Sequence, residues 1–218
     1  MLIKRKQIAI ENKLIGSELA KLQELMLKYS HVDWLKGEEM QEYLATFDLI
    51  NLPKIEISTV DKILSLTRKY HRDTFTKELS EKLIELLTEL KVKQLIIITP
   101  LKEDYFGNRA NPFELLKRSN KKLEEIVNDT RYEEAFKIKL KDLQLYVEIF
   151  FWIVRCGGPE EVLFFDTDGK VSFSICKHGN IHLTELGKER LKNCDSLSKD
   201  WIELGAGGEY DNIIDEEN

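Results

Sequence analysis

A chain of 218 residues is long enough to bury a full hydrophobic core without disulfide staples, as one large domain or two small ones. Its 42% hydrophobic and 33% charged residues make a globular composition and exclude a disordered chain. The net charge of −6 opposes nonspecific nucleic-acid binding over the whole surface and suits a basic partner. The three cysteines, Cys156, Cys176 and Cys194, are an odd number widely spread, which is not a disulfide framework. No apolar run of signal-peptide length follows the basic residues 4–6. The most apolar stretch, 145–154, is interrupted by Glu148 and falls short of the roughly 20 residues that span a bilayer. The expected location is a reducing cytoplasm, away from membranes.

The first half reads as helical. Ile15, Leu19, Leu22, Met26 and Tyr29 share one helical face, and Met40, Tyr43 and Phe47 continue the pattern before Pro53 ends it. Ile55 and Ile57 alternate with charged residues as in a short strand. Ser58, with Asp61 three residues on, predicts a capped helix carrying Val60, Ile63, Thr67 and Tyr70. A clearer helix is expected over 76–91, with Leu79, Leu83, Leu86, Leu87 and Leu90 as its apolar stripe. The run Gln94-Leu-Ile-Ile-Ile-Thr then predicts a strand covered on both faces. Asn111-Pro112 predicts the start of a helix running to Val127.

From Tyr132 the period changes to two. Phe136, Ile138 and Leu140 alternate with lysines. After Lys141-Asp142 the phase slips by one residue, and Leu143, Leu145, Val147, Ile149, Phe151 and Ile153 predict a second strand. Further strands are expected at 162–165, 171–175 and 181–183, the first two joined by a tight hairpin at Asp168-Gly169 with positive φ at both central residues. Lys177-His-Gly-Asn predicts another turn, and Thr184 a cap for a short helix through Leu191. The end, 211–218, reads as an acidic, frayed tail. The fold class is therefore α+β in a single domain, helix-rich over 1–130, with an antiparallel β-meander over 132–183 and a short helix and acidic tail over 184–218.

The segment Val162-Leu-Phe-Phe-Asp-Thr-Asp-Gly resembles the first motif of the haloacid-dehalogenase-like phosphatases. The resemblance implies a nucleophile at Asp166 and a general acid/base at Asp168 beside Mg²⁺. It covers eight residues and departs at Lys170, where the family has Thr, and at the alternating segment 171–175, where a helix would follow. A hairpin explains the same residues. Asp166 also fails as the start of an EF-hand loop, because position 12 is Lys177 and not Glu. Cys176, His178, His182 and Cys194 form a loose set of zinc-ligand types without a Cys-x-x-Cys pair, though alternation puts Cys176 and His178 on one face. The basic cluster 117–122 reads as a solvated helix face.

These residues support two functions. The first is a non-enzymatic protein-binding protein, of the immunity or antitoxin kind that neutralises a basic toxin. Its contacts are expected from the mixed acidic and aromatic tail: Glu209, Tyr210, Asp211, Asp215 and Glu216. It needs no cofactor and no metal. The alternative is a small metal-dependent hydrolase or nuclease using Asp166 and Asp168, with Glu148 or Glu161 as a further carboxylate.

Overall fold

The structure is a computed structural model and describes residues 1–30, 35–205, 208 and 210–214. Elements run in the order β1 (Leu2–Ile3), α1 (Arg5–Glu11), α2 (Lys13–Tyr29), α3 (Glu38–Ala45), β2 (Thr59–Leu66), β3 (Tyr70–His71), α4 (Arg72–Glu89), β4 (Gln94–Ile98) and α5 (Glu114–Val127). The second half holds β5 (Ala135–Lys139), α6 (Leu143–Arg155), β6 (Leu163–Asp166), β7 (Val171–Ile175), β8 (Ile181–Leu186), α7 (Asp195–Asp200), β9 (Trp201–Leu204) and β10 (Ile213–Ile214). The fold is mixed α+β. Eight strands form one sheet in the order β1-β5-β4-β6-β7-β8-β2-β9, with every neighbouring pair antiparallel. The expected meander is its β6-β7-β8 segment.

Strand alternation divides the side chains between two layers. On one face Leu64, Leu66, Leu95, Ile97, Phe136, Phe164, Phe173 and Leu183 pack under α4, α5 and α6. On the other, Ile96, Ile98, Ala135, Leu163 and Phe165 meet Ile8 and Ala9 of α1 and Ile15 and Leu19 of α2. Both sides of β4 are buried, as its unbroken β-branched run requires. Helix α2 starts at Asn12, whose Oδ1 accepts from the Ile15 N–H at 3.2 Å.

Several expectations give way to tertiary context. Residues 143–153 form helix α6, not a strand. The exposed positions Gln144 and Leu145 and the half-buried Glu148 lie on one helical side, while Tyr146, Val147, Phe150 and Phe151 are buried. The neighbouring strands β4 and β5 are already paired on both sides. The phase slip at 141–142 is a short 3₁₀ turn, Leu140–Asp142, that leads into this helix. The segment after Ser58 forms strand β2 between β8 and β9, where Thr59, Val60 and Ile63 suit a ladder on both edges. Residues 55–57 form no strand, and the Ile55 N–H is instead taken by Ser17 Oγ at 2.7 Å.

The remaining corrections concern ends. Helix α5 begins at Glu114, with Asn111 Oδ1 accepting from the Phe113 N–H at 3.0 Å. Thr184 lies within β8, and the helix that follows comes at 195–200. In the β6–β7 turn only Gly169 has positive φ, at 69°; its N–H bonds Asp166 O at 2.9 Å. The segment before the end is docked, not frayed: β10 pairs in parallel with β3, and Asn212 is fully buried.

Candidate functional site: a polar cleft on the open half of the sheet

Helices α1 and α2 cover only part of their face of the sheet. Beyond β6, strands β7, β8 and β2 carry polar side chains there. Val171, Phe173, Ile175, Ile181 and Leu183 point to the helix-covered core, so alternation sends Ser172, Ser174, His182 and Thr184 the other way. Asp61 pairs across from Thr184 and extends the polar face onto β2, while the apolar Ile63 stands across from His182.

The step from helix to bare sheet is a cleft of about 270 Å³. Glu18 and Leu22 of α2 wall it, Leu163, Phe165 and Phe173 give it an apolar base, and Ser172, Ser174, His182 and Thr184 line it together with Asp61 and Glu161. Ser174 Oγ donates to Glu161 Oε1 and Thr184 Oγ1 to Asp61 Oδ1, each at 2.7 Å. A carboxylate accepts several hydrogen bonds, so one hydroxyl each does not saturate either group. Among the described residues that line the cleft there is no Lys or Arg. Glu18 is partly neutralised by Lys21 at 3.1 Å. The arrangement offers negative charge and hydroxyl oxygens to a cation.

Cys176 stands at the end of β7 on the same face. Its N–H donates to Asn180 O at 3.0 Å, and the Gly179 N–H donates to Cys176 O at 2.8 Å, closing the turn to β8 with Gly179 at φ +81°. Burial pushes the Cys176 thiol up. Hydrogen bonds from the His182 side chain and from the backbone of His178 and Asn180 outweigh burial and hold it below the usual thiol range. Sequence spacing put Cys176 and His178 on one face; the side chain that lowers the thiol is that of His182, on β8. Beside this group Asn212 bridges the sheet end, donating from Nδ2 to Asn180 Oδ1 and accepting Ser65 Oγ–H at Oδ1, both at 2.9 Å.

The phosphatase-like aspartates lie elsewhere. Asp166 is buried on the helix-covered face, the same side as Phe164, and Glu161 on the opposite face with Leu163 and Phe165. Asp166 Oδ1 accepts the Asp168 N–H and Oδ2 the Lys170 N–H, each at 3.2 Å. The Asp168 carboxylate is exposed and pairs with Lys170 Nζ at 3.0 Å. Glu148 sits on α6, bound to Lys122 at 2.7 Å. Cys194 packs into the core under the helices, so it does not join Cys176, His178 and His182. Among the described residues no three His, Cys, Asp or Glu are grouped to hold a metal ion.

In the tail, Tyr210 lies 5.2 Å from Lys69 Nζ, ring centroid to nitrogen, and Asp211 Oδ1 accepts the Ile213 N–H at 3.1 Å. Glu209, Asp215 and Glu216 lie outside the described residues. Sequence reading missed Asp61, Glu18 and Thr184 as site residues. The one local signal for the cleft was the Ser172/Ser174 alternation, which marks a strand face not meant for an apolar layer. Among the described residues no helix is long and apolar enough to cross a membrane. The chain matches no protein-family model, no curated protein and no solved structure.

Proposed function

We propose that this chain is a protein-binding protein for a basic partner, of the immunity or antitoxin kind, and that a lysine or arginine of the partner enters the cleft between α2 and the open half of the sheet. The observation that carries this reading is the cleft lining: Asp61 and Glu161 beside hydroxyl side chains over an apolar base of Leu22, Leu163 and Phe165, with no Lys or Arg among the described lining residues. The net charge of −6 supports it, because opposite charge steers a basic protein to the surface and raises the association rate. A guanidinium or ammonium seated there would add charge-assisted hydrogen bonds to the carboxylates. Tyr210 and Asp211 of the tail would contribute as a second contact at the sheet's far end.

The test is affinity purification of the tagged chain from its native cells, with bound proteins identified by mass spectrometry. The wild type should recover a basic protein. Asp61→Lys with Glu161→Lys should lose it while keeping the native circular-dichroism spectrum. Recovery of the same protein by the double variant at equal yield would remove the cleft from the interface. Recovery of none by the wild type would argue against the function itself.

A further inference from the structure

Helices α1 and α2 and the segment 52–55 enclose a second cavity, of about 320 Å³. Lys13, Gly16 and Ser17 line it from α2, on the opposite side of that helix from Glu18 and Leu22, which wall the cleft. The inference drawn from it therefore stands independently of the binding reading above. A Cβ on Gly16 would meet Ala9 O at 2.7 Å, so glycine lets α1 and α2 approach backbone to backbone there. The third wall is pinned from α2. The Ile55 N–H donates to Ser17 Oγ at 2.7 Å, and Lys21 Nζ donates to Ile55 O at 2.6 Å. The Leu52 N–H is taken by Leu49 O at 3.0 Å, and Pro53 has no N–H. The walls are thus set before anything enters, and the N–H groups of Leu52 and Ile55 are already used. What stays open is apolar, with Ile10 71% and Ile55 38% exposed. Apolar side chains left in water around a concave site mark a place where a ligand covers them. Among the described lining residues Lys13 carries the one charge.

We propose that this cavity binds a medium-chain alkyl carboxylate, its hydrocarbon tail against Ala9, Ile10, Leu52 and Ile55 and its carboxylate paired with Lys13. The lining decides the chemistry. A peptide segment laid here would bury amide groups beside walls whose N–H groups are already used, a cost that a plain hydrocarbon chain does not incur. The cavity sits at the small end of ligand pockets. At roughly 30 Å³ for each water-sized group it accommodates on the order of ten, the size of octanoate. The net charge of −6 repels anions from the surface as a whole, so Lys13 is what draws the carboxylate to this mouth. Exposed as it is, the lysine pairs with the head group without paying for burial.

The experiment titrates the isotope-labelled full chain with sodium octanoate and follows its amide resonances by NMR. Saturable shifts should gather at Ala9, Ile10, Lys13, Gly16, Leu52 and Ile55, with a Kd of about 1 mM or tighter. Each methylene removed should weaken binding about threefold, so hexanoate should bind roughly tenfold less tightly. Lys13→Gln should weaken octanoate about fivefold and leave uncharged octanol unchanged. Ile10→Asp places a carboxylate on an exposed rim position, so it should keep the native circular-dichroism spectrum and weaken octanoate at least tenfold. Should Ile10→Asp disturb the fold, Lys13→Gln, also at an exposed position, decides. Absence of saturable shifts at these amides, or shifts centred on Ser172 and His182 instead, would overturn the proposal. So would equal binding of octanoate by wild type and a folded Lys13→Gln variant. Shifts of the same amides on raising protein concentration alone would give the cavity to a second copy of the chain and overturn it as well.

Discussion

The Arg5 guanidinium and the Asp48 carboxylate meet as a two-pronged ion pair, Nε to Oδ2 and Nη2 to Oδ1 at 3.2 Å each, with the arginine side chain 1% exposed. The remaining donors reach Thr99 O at 2.8 Å and Pro100 O at 3.2 Å, while Gln23 Nε2 also donates to Asp48. One buried cation thus ties the first helix, the loop after α3 and the end of β4 together. Removing one partner strands a charge in the interior. Asp48→Ala is expected to cost about 3–5 kcal/mol of unfolding free energy by urea titration. The double variant Arg5→Met/Asp48→Leu should cost less than Asp48→Ala alone, because no uncompensated charge remains.

The two hairpin aspartates should separate cleanly in a stability assay. Asp166 is buried and accepts two turn amides, so Asp166→Ala should cost about 1–3 kcal/mol and Asp166→Asn less. Asp168 is exposed, and Asp168→Ala should stay within about 0.5 kcal/mol. Gly169→Ala should cost about 1–2 kcal/mol, since φ of +69° is unfavourable for a side chain and a Cβ there would lie 2.6 Å from Leu14 Cδ2. Thermal melts of the four variants check the order. A large loss from Asp168→Ala would contradict it.

Glu103, in the loop after β4, is pushed up to about 7 by burial and by the neighbouring Glu160, against the opposing charge of Arg5. Its carboxyl ionises in the unfolded chain near pH 4.5 but stays protonated in the fold until about 7. The native state therefore holds the extra proton between these values, and stability falls as pH rises through that window. With partial exposure discounted, the loss is on the order of 2 kcal/mol. Glu103→Gln should remove this slope, matching the wild type near pH 5 and exceeding it near pH 8. Urea unfolding at four pH values from 5 to 8 measures it.

Asn212 latches the C-terminal segment to the sheet end. Asn212→Ala would leave Ser65 Oγ and Asn180 Oδ1 without their bridge, at a cost of about 1–3 kcal/mol. The Tyr70 N–H, which donates to Asn212 O at 2.9 Å, should then exchange with deuterium faster than in the wild type. Unchanged protection of Tyr70 would mean that the tail is held by Ile213 instead.

Local chemistry made part of this fold readable. The leucine stripe of α4, the β-branched run of β4 and the Asp-Gly turn each carry their signal within a few residues. The errors at 143–153 and 59–66 share a cause. Both segments carry aliphatic residues at spacings that fit either period, and the strand pairings available in the sheet decided between them. Those pairings involve strands from both ends of the chain, which no local window contains. The cleft was hidden for the same reason. Glu18, Asp61, Glu161 and Thr184 come from a helix, a loop and two strands, and only the β2–β8 register sets Asp61 opposite Thr184. The Cys176–His182 contact depended on the length of one turn.

The sheet order also sets a schedule. The Met1 terminal ammonium donates to Lys137 O across 136 positions of chain, and Thr184 reaches Asp61 across 123. On the ribosome β1 and β2 emerge long before β5 and β8 exist to receive them. At synthesis rates of roughly 5–20 residues per second, the early strands wait several seconds with open edges. Such distant pairings place the loop-closure entropy ahead of the contacts that offset it, so refolding should be slow for a chain of this size. The apolar residues of α1 and α2 stay exposed until the central strands arrive. A newly made chain is thus most prone to aggregate before residue 136 is free.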